Sequence, residues 1–207
     1  FIIPEKEGNY KINLKFNINL TDCSYMFARC KKIIGINFIY FNTKYVTSMK
    51  YMFHKCKNLK YINLFSLDTS NVTDMSDMFS FCENLKTIDI YFFDFNEVRD
   101  MSYMFYNCFN LENLYIYPIS PDISPNVDYI LHKCKKLKDP ELQEVESSDI
   151  EGINKYTNQI IISIKALAKE KYYFIKDSKE LNESNTEIYI NDKQLKYQNY
   201  FYSRKKW

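Results

Sequence analysis

A chain of 207 residues suffices for one medium domain, or for a repeat array with a small companion. Its formal net charge of +2 provides no long-range field for nucleic acid, and no apolar run approaches the ~18 residues of a membrane helix. Ile33 to Phe41 comes nearest in character and is broken at Gly35 and Asn37. The chain opens on Phe1 instead of a methionine and stops at Trp207 in a basic run, so it reads as a segment of something longer.

Residues 1–20 begin with a loop and continue in strict alternation. Ile12, Leu14, Phe16, Ile18 and Leu20 interleave with Lys11, Asn13, Lys15, Asn17 and Asn19. Period two over that length predicts a strand with one buried face, placed to cap the open end of the sheet that follows.

Residues 21–138 repeat. Cys30, Cys56, Cys82, Cys108 and Cys134 lie 26 positions apart, and Met-Phe precedes the first four as Met26-Phe27, Met52-Phe53, Met78-Phe79 and Met104-Phe105. In the fifth unit Ile130-Leu131 stands in its place. A period of this size is the mark of stacked units, none of which can bury its apolar face alone. The first half of each unit spaces its apolar residues as one helix face, as in Val46, Met49, Met52, Phe53 and Cys56. Thr73, Asp74 and Ser76 supply helix-start chemistry. The second half, Leu59-x-x-Ile62-x-Leu64 and its counterparts, predicts a short strand with alternate residues inward. The expected fold is therefore α/β: a solenoid with one short helix and one short strand per 26-residue repeat, the last repeat degenerate. Pro118, Pro121 and Pro125 crowd the entry of that last unit, and Pro140 falls where an inward strand residue would be expected.

Five of the six cysteines hold one repeat position, and Cys23 sits where Met49, Met75 and Met101 sit later. They read as free, buried core residues. Helices about 10 Å across would hold neighbouring cysteines beyond the ~7 Å that a disulfide tolerates.

Residues 139–155 form an acidic linker: Asp139, Glu141, Glu144, Glu146, Asp149 and Glu151 occur without Lys or Arg over 139–151. Residues 156–207 predict a small β-rich module, incomplete at its end. Ile160, Ile162 and Ile164 alternate in one candidate strand, Tyr172 to Ile175 and Glu187 to Ile190 make two more, and a turn at Asn191-Asp192-Lys193 leads to Leu195-Lys196-Tyr197.

The unit Asn71-Val72-Thr73-Asp74-Met75-Ser76-Asp77-Met78-Phe79-Ser80-Phe81-Cys82, followed by Leu85-x-x-Ile88-x-Ile90, resembles the repeats of the BspA-like leucine-rich-repeat surface proteins. The likeness covers about residues 21–138 and weakens at Cys23 and at Ile130-Leu131. It implies a cell-surface or secreted location, and adhesion or protein binding as the activity.

Function is expected on the outward residues of the strands. Tyr61, Asn63, Phe65, Asp89, Tyr91, Tyr115 and Tyr117 are the candidate contacts for a protein or glycan ligand, the outward column Ile39, Phe65, Tyr91 and Tyr117 being aromatic in three rungs of four. Stacked aromatics that merely cover the sheet are the competing explanation. His54 and His132 share a position that elsewhere holds Ala28, Ser80 and Tyr106, so they read as a solvated helix face. The methionines read as a core ladder. No phosphate loop, HExxH or G-x-S-x-G motif occurs, and residues 156–207 contain neither His nor Cys. The expectation is a non-enzymatic binding module without cofactor or metal; a passive spacer in a longer tandem array is the alternative.

Overall fold

The computed structural model describes residues 8–120 and 122–138, together with the backbone of strands at 158–166, 186–190 and 193–195. Its strands are β1 (Gly8–Phe16), β2 (Ile33–Tyr40), β3 (Tyr61–Asn63), β4 (Thr87–Ile90), β5 (Asn113–Ile116), β6 (Asn158–Ala166), β7 (Thr186–Ile190) and β8 (Lys193–Leu195). The expected acidic linker and the candidate strand Tyr172 to Ile175 lie outside the described residues.

Five coils, with turn segments at 23–30, 49–56, 75–82, 101–108 and 127–134, lie one on the next. Parallel bridges tie Asp22 to Ser48, Ser48 to Asp74, Asp74 to Asp100 and Asp100 to Asn126. Phe27, Phe53, Phe79 and Phe105 stack face to face, with ring centroids 5.5, 5.2 and 5.6 Å apart. Val46, Met49, Met52, Phe53 and Cys56 are all fully buried in the continuous core so formed.

The helix-and-strand leucine-rich-repeat solenoid must be corrected. No helix occurs among the described residues. The apolar spacing of 3, 1 and 3 comes instead from consecutive tight turns: Met52 N–H bonds Met49 O, His54 N–H bonds Tyr51 O, and Cys56 N–H bonds Phe53 O. Between them stand two left-handed residues per coil, at Tyr25, Tyr51, Asp77, Tyr103 and Tyr129 and at Arg29, Lys55, Phe81, Asn107 and Lys133, with φ of 55° to 66°. That alternation turns every second amide along the stack. Met49, Tyr51, Phe53 and Lys55 donate to the carbonyls of Asp74, Ser76, Met78 and Ser80 in the next coil, and the same four bonds recur at each of the four junctions at 2.6–3.0 Å.

Spacing decides between the alternatives. A helix is about 10 Å across and spends its amides internally, whereas coils one strand-width apart need amides that point outward. A non-glycine residue in the left-handed region costs about 1–2 kcal/mol. Two per coil are offset by four ladder bonds worth about 0.5–1.5 kcal/mol each. The helix-start residues serve the same turns: Asp74 Oδ1 accepts from Ser76 N–H at 2.9 Å, as Asp22 does from Ser24 and Asp100 from Ser102.

All six cysteines are free. The distance argument for that does not apply, because the coils are about 5 Å apart. Each thiol instead donates backward to a phenylalanine carbonyl: Cys56 to Phe27 at 3.0 Å, Cys82 to Phe53 and Cys108 to Phe79 at 3.2 Å, and Cys134 to Phe105 at 3.1 Å. Burial pushes the Cys56, Cys82 and Cys108 thiols well above their ordinary range, so they stay protonated and able to donate.

The strands form two sheets. One runs β3-β2-β6-β1-β7-β8, and the other pairs β4 with β5 in parallel. The period-two pattern of β1 buries Ile12, Leu14 and Phe16. However, β1 does not lie against the first coil's strand: β6 stands between them, antiparallel to both, with Ile162 opposite Ile12 and Ile36. The described strands of residues 156–207, β6, β7 and β8, therefore share a sheet with the strands of the array's first two coils. Alternation states which side chains face inward; it is silent on which strand comes next.

Candidate functional site

The seven candidate residues separate into three settings. Tyr61 and Asn63 lie on β3 in the larger sheet, Asp89 on β4 and Tyr115 on β5 in the smaller. Phe65, Tyr91 and Tyr117 come just after the strands end. The outward columns thus do not form one ladder, because β3 and β4 belong to different sheets.

Asn63 and Asp89 act on the backbone. Asn63 Oδ1 accepts from Phe65 N–H at 3.0 Å, and Asp89 Oδ1 accepts from Tyr91 N–H at 2.9 Å. These side-chain turns end each strand and aim the aromatic residue two positions on. Tyr61 lies with its ring over Gly35, in the space a Cβ there would occupy. Glycine at 35 is what lets that ring lie flat on β2.

The remaining aromatics meet. Tyr91 and Tyr117 pack edge to face at 5.4 Å, Tyr91 and Phe92 at 5.6 Å, and Phe92 and Phe65 at 5.1 Å. Phe65, Phe92 and Tyr117 are 42–54% exposed, which is unusual for large rings in contact with one another. Phe92 was not among the expected residues. Its coil position holds Tyr40, Ser66 and Pro118 elsewhere, so no column drew attention to it, although its place beside Tyr91 in an aromatic run did offer a signal.

A cleft of about 320 Å³ opens beside the cluster. Tyr91 to Asn96 form one wall and Tyr117 to Ser120 with Ile123 the other. Phe93 and Phe95 are buried at its base, and Asp94 and Asn96 provide polar groups. Asp94 Oδ1 accepts from Asn96 N–H, and Asp94 N–H donates to Thr69 Oγ1 at 2.7 Å, so this wall is hydrogen-bonded to the coil beneath. The arrangement is a largely apolar recess with a small polar margin.

The turn segments carry the histidines. His54 is not on a solvated helix face: its side chain is only 12% exposed. Nδ1 shares a 2.6 Å hydrogen bond with Ser80 Oγ and lies 3.8 Å from Asp77 Oδ1. Burial, with Lys55 nearby, lowers its pKa to about 4, so the ring is neutral at pH 7. Ser80 is fully buried and also donates to the Asp77 carbonyl, so this trio is a junction between coils, with no exposed nucleophile. Among the described residues, no group of three His, Cys, Asp or Glu side chains is placed to hold a metal ion. No helix there is long and apolar enough to cross a membrane.

No curated protein and no solved structure matches the chain. Residues 21–141, covering all five coils, match the family described as Mycoplasma protein of unknown function, DUF285, and the chain belongs to that family.

Proposed function

We propose that this chain is a non-catalytic binding module that engages a protein or glycan ligand, at a cell surface or in secreted material, through the aromatic cluster Phe65, Tyr91, Phe92 and Tyr117 and the cleft beside it. One observation carries the reading: four rings in contact one with the next, three of them about half exposed, edge a recess one wall of which is hydrogen-bonded to the coil beneath. Rings already ordered in the free protein lose little entropy on binding, which is why such residues dominate recognition surfaces. The resemblance of the repeat unit to BspA-like surface proteins supports the proposed location.

The test is a screen of the full chain against a glycan array and a panel of extracellular proteins, alongside a variant carrying Phe65→Ser, Tyr91→Ser, Phe92→Ser and Tyr117→Ser. Wild-type ligands should be lost from the variant while its circular dichroism and unfolding midpoint stay near wild type. Retention of every ligand by a folded variant would remove the cluster from the site and favour the spacer alternative.

A further inference from the structure

Among the described residues the fifth coil is the last of the stack, and its forward face is incomplete. In coils 1 to 4, four amides of each turn segment reach carbonyls of the next coil. The corresponding amides of Val127, Tyr129, Leu131 and Lys133 have no acceptor among the described residues. The core beneath them is open too. Val127 is 47% exposed where Met49, Met75 and Met101 are fully buried, and Ile130, Leu131, Cys134 and Leu137 are only partly covered.

The side chains on this face repeat those of coil 2. Tyr51-Met52-Phe53-His54-Lys55-Cys56-Lys57 is matched by Tyr129-Ile130-Leu131-His132-Lys133-Cys134-Lys135. In coil 2 these groups receive coil 3. His54 meets Ser80 at 2.6 Å and Asp77 at 3.8 Å, Lys55 lies 5.0 Å from the Phe81 ring, and Lys57 pairs with Glu83 at 2.7 Å. Coil 5 presents the same set, with Tyr129, His132, Lys133 and Lys135 all exposed.

We propose that the forward end of coil 5 is a docking face for a coil of another polypeptide with the chemistry of coil 3: acid, serine, aromatic and acid at the positions of Asp77, Ser80, Phe81 and Glu83.

Two alternatives fit the face less well. Lysines at a sheet edge commonly prevent pairing by covering it with charge. Here Lys133 lies over the Tyr106 ring, Lys135 over the Phe109 ring, and Lys136 donates to Asn110 at 2.8 Å, all drawn back toward coil 4. A second copy of this chain also fails. Two coil-5 ends related by a two-fold axis would set amide against amide and lysine against lysine. Head-to-tail stacking needs the rear of coil 1, where Met26, Phe27 and Ala28 are already buried.

The experiment uses the ¹⁵N-labelled full chain and two unlabelled peptides, residues 71–90 and the two-coil residues 71–116 carrying Tyr91→Ser and Phe92→Ser, so that neither brings a ring of the aromatic cluster. In the chain alone, amides of Val127, Tyr129, Leu131 and Lys133 should exchange far faster than those of Met101, Tyr103, Phe105 and Asn107. Peptide should shift signals of residues 127–137 saturably and slow that exchange. Lys135→Glu should weaken binding about two- to fivefold, and a Glu83→Lys peptide should restore it. Slow exchange in the chain alone, self-association through residues 127–138, or no saturable effect from either peptide at millimolar concentration would each overturn the proposal. Binding that ignores the charge exchange would do so as well. None of these outcomes involves the aromatic cluster, so this face and that one are tested apart.

Discussion

Replacing Arg29 in turn by Ala and by Gly separates the turn-built coil from a helical one by the sign of a single difference. Arg29 is exposed on coil 1 with φ of 62°, and its N–H donates to His54 O at 2.6 Å. In a helix interior, Gly is about 1 kcal/mol less stable than Ala, because its unfolded chain has more freedom to lose. At a left-handed residue the Cβ of Ala costs about 1–2 kcal/mol that Gly avoids. Set against the same entropy term, Gly should then exceed Ala by up to about 1 kcal/mol. Both variants lose the same guanidinium, so its contribution cancels. Urea unfolding followed by circular dichroism with a common m-value resolves such a difference. A Gly variant less stable than the Ala variant by about 1 kcal/mol would contradict the left-handed backbone and return the helix.

Two further outcomes follow from the core and the inter-coil junction. Phe79 is fully buried between Phe53 and Phe105, so Phe79→Ala should cost about 3–5 kcal/mol for the cavity, and Phe79→Leu distinctly less; chemical denaturation of both checks the order, and equal costs would deny the stacked rings any special part. His54 titrates near 4 in the folded chain against 6.5 unfolded, so the unfolded state takes the proton first as pH falls. Its contribution is complete above pH 6.5 and declines toward pH 4, by about 3 kcal/mol at the lower end. Subtracting the pH profile of His54→Gln from that of wild type should isolate this decline, and identical profiles would mean that the ring is not held neutral.

The period of 26, the cysteine and phenylalanine columns and the inward set of each coil could all be read from residue identity, because an apolar side chain that recurs at one register has the same neighbours in every coil. Phe65, Tyr91 and Tyr117 were legible as outward residues for the same reason. Phe92 was not, since its position carries no repeated type. The helix was inferred from a spacing that two geometries satisfy: apolar residues three, one and three apart line one side of a helix or one side of a run of tight turns. Only the neighbouring coil distinguishes them, by accepting every second amide at a separation no helix can match. The residues at the left-handed positions are Tyr, Arg, Lys or Phe except at Asp77 and Asn107, and none is glycine, so no repeated local signal marked them. The insertion of β6 between β1 and β2 and the open ladder at Val127 to Lys133 belong to the same class of fact. Both concern where backbone groups find partners far along the chain, and every residue type but proline offers the same donor and acceptor, so composition leaves that choice to the assembled fold.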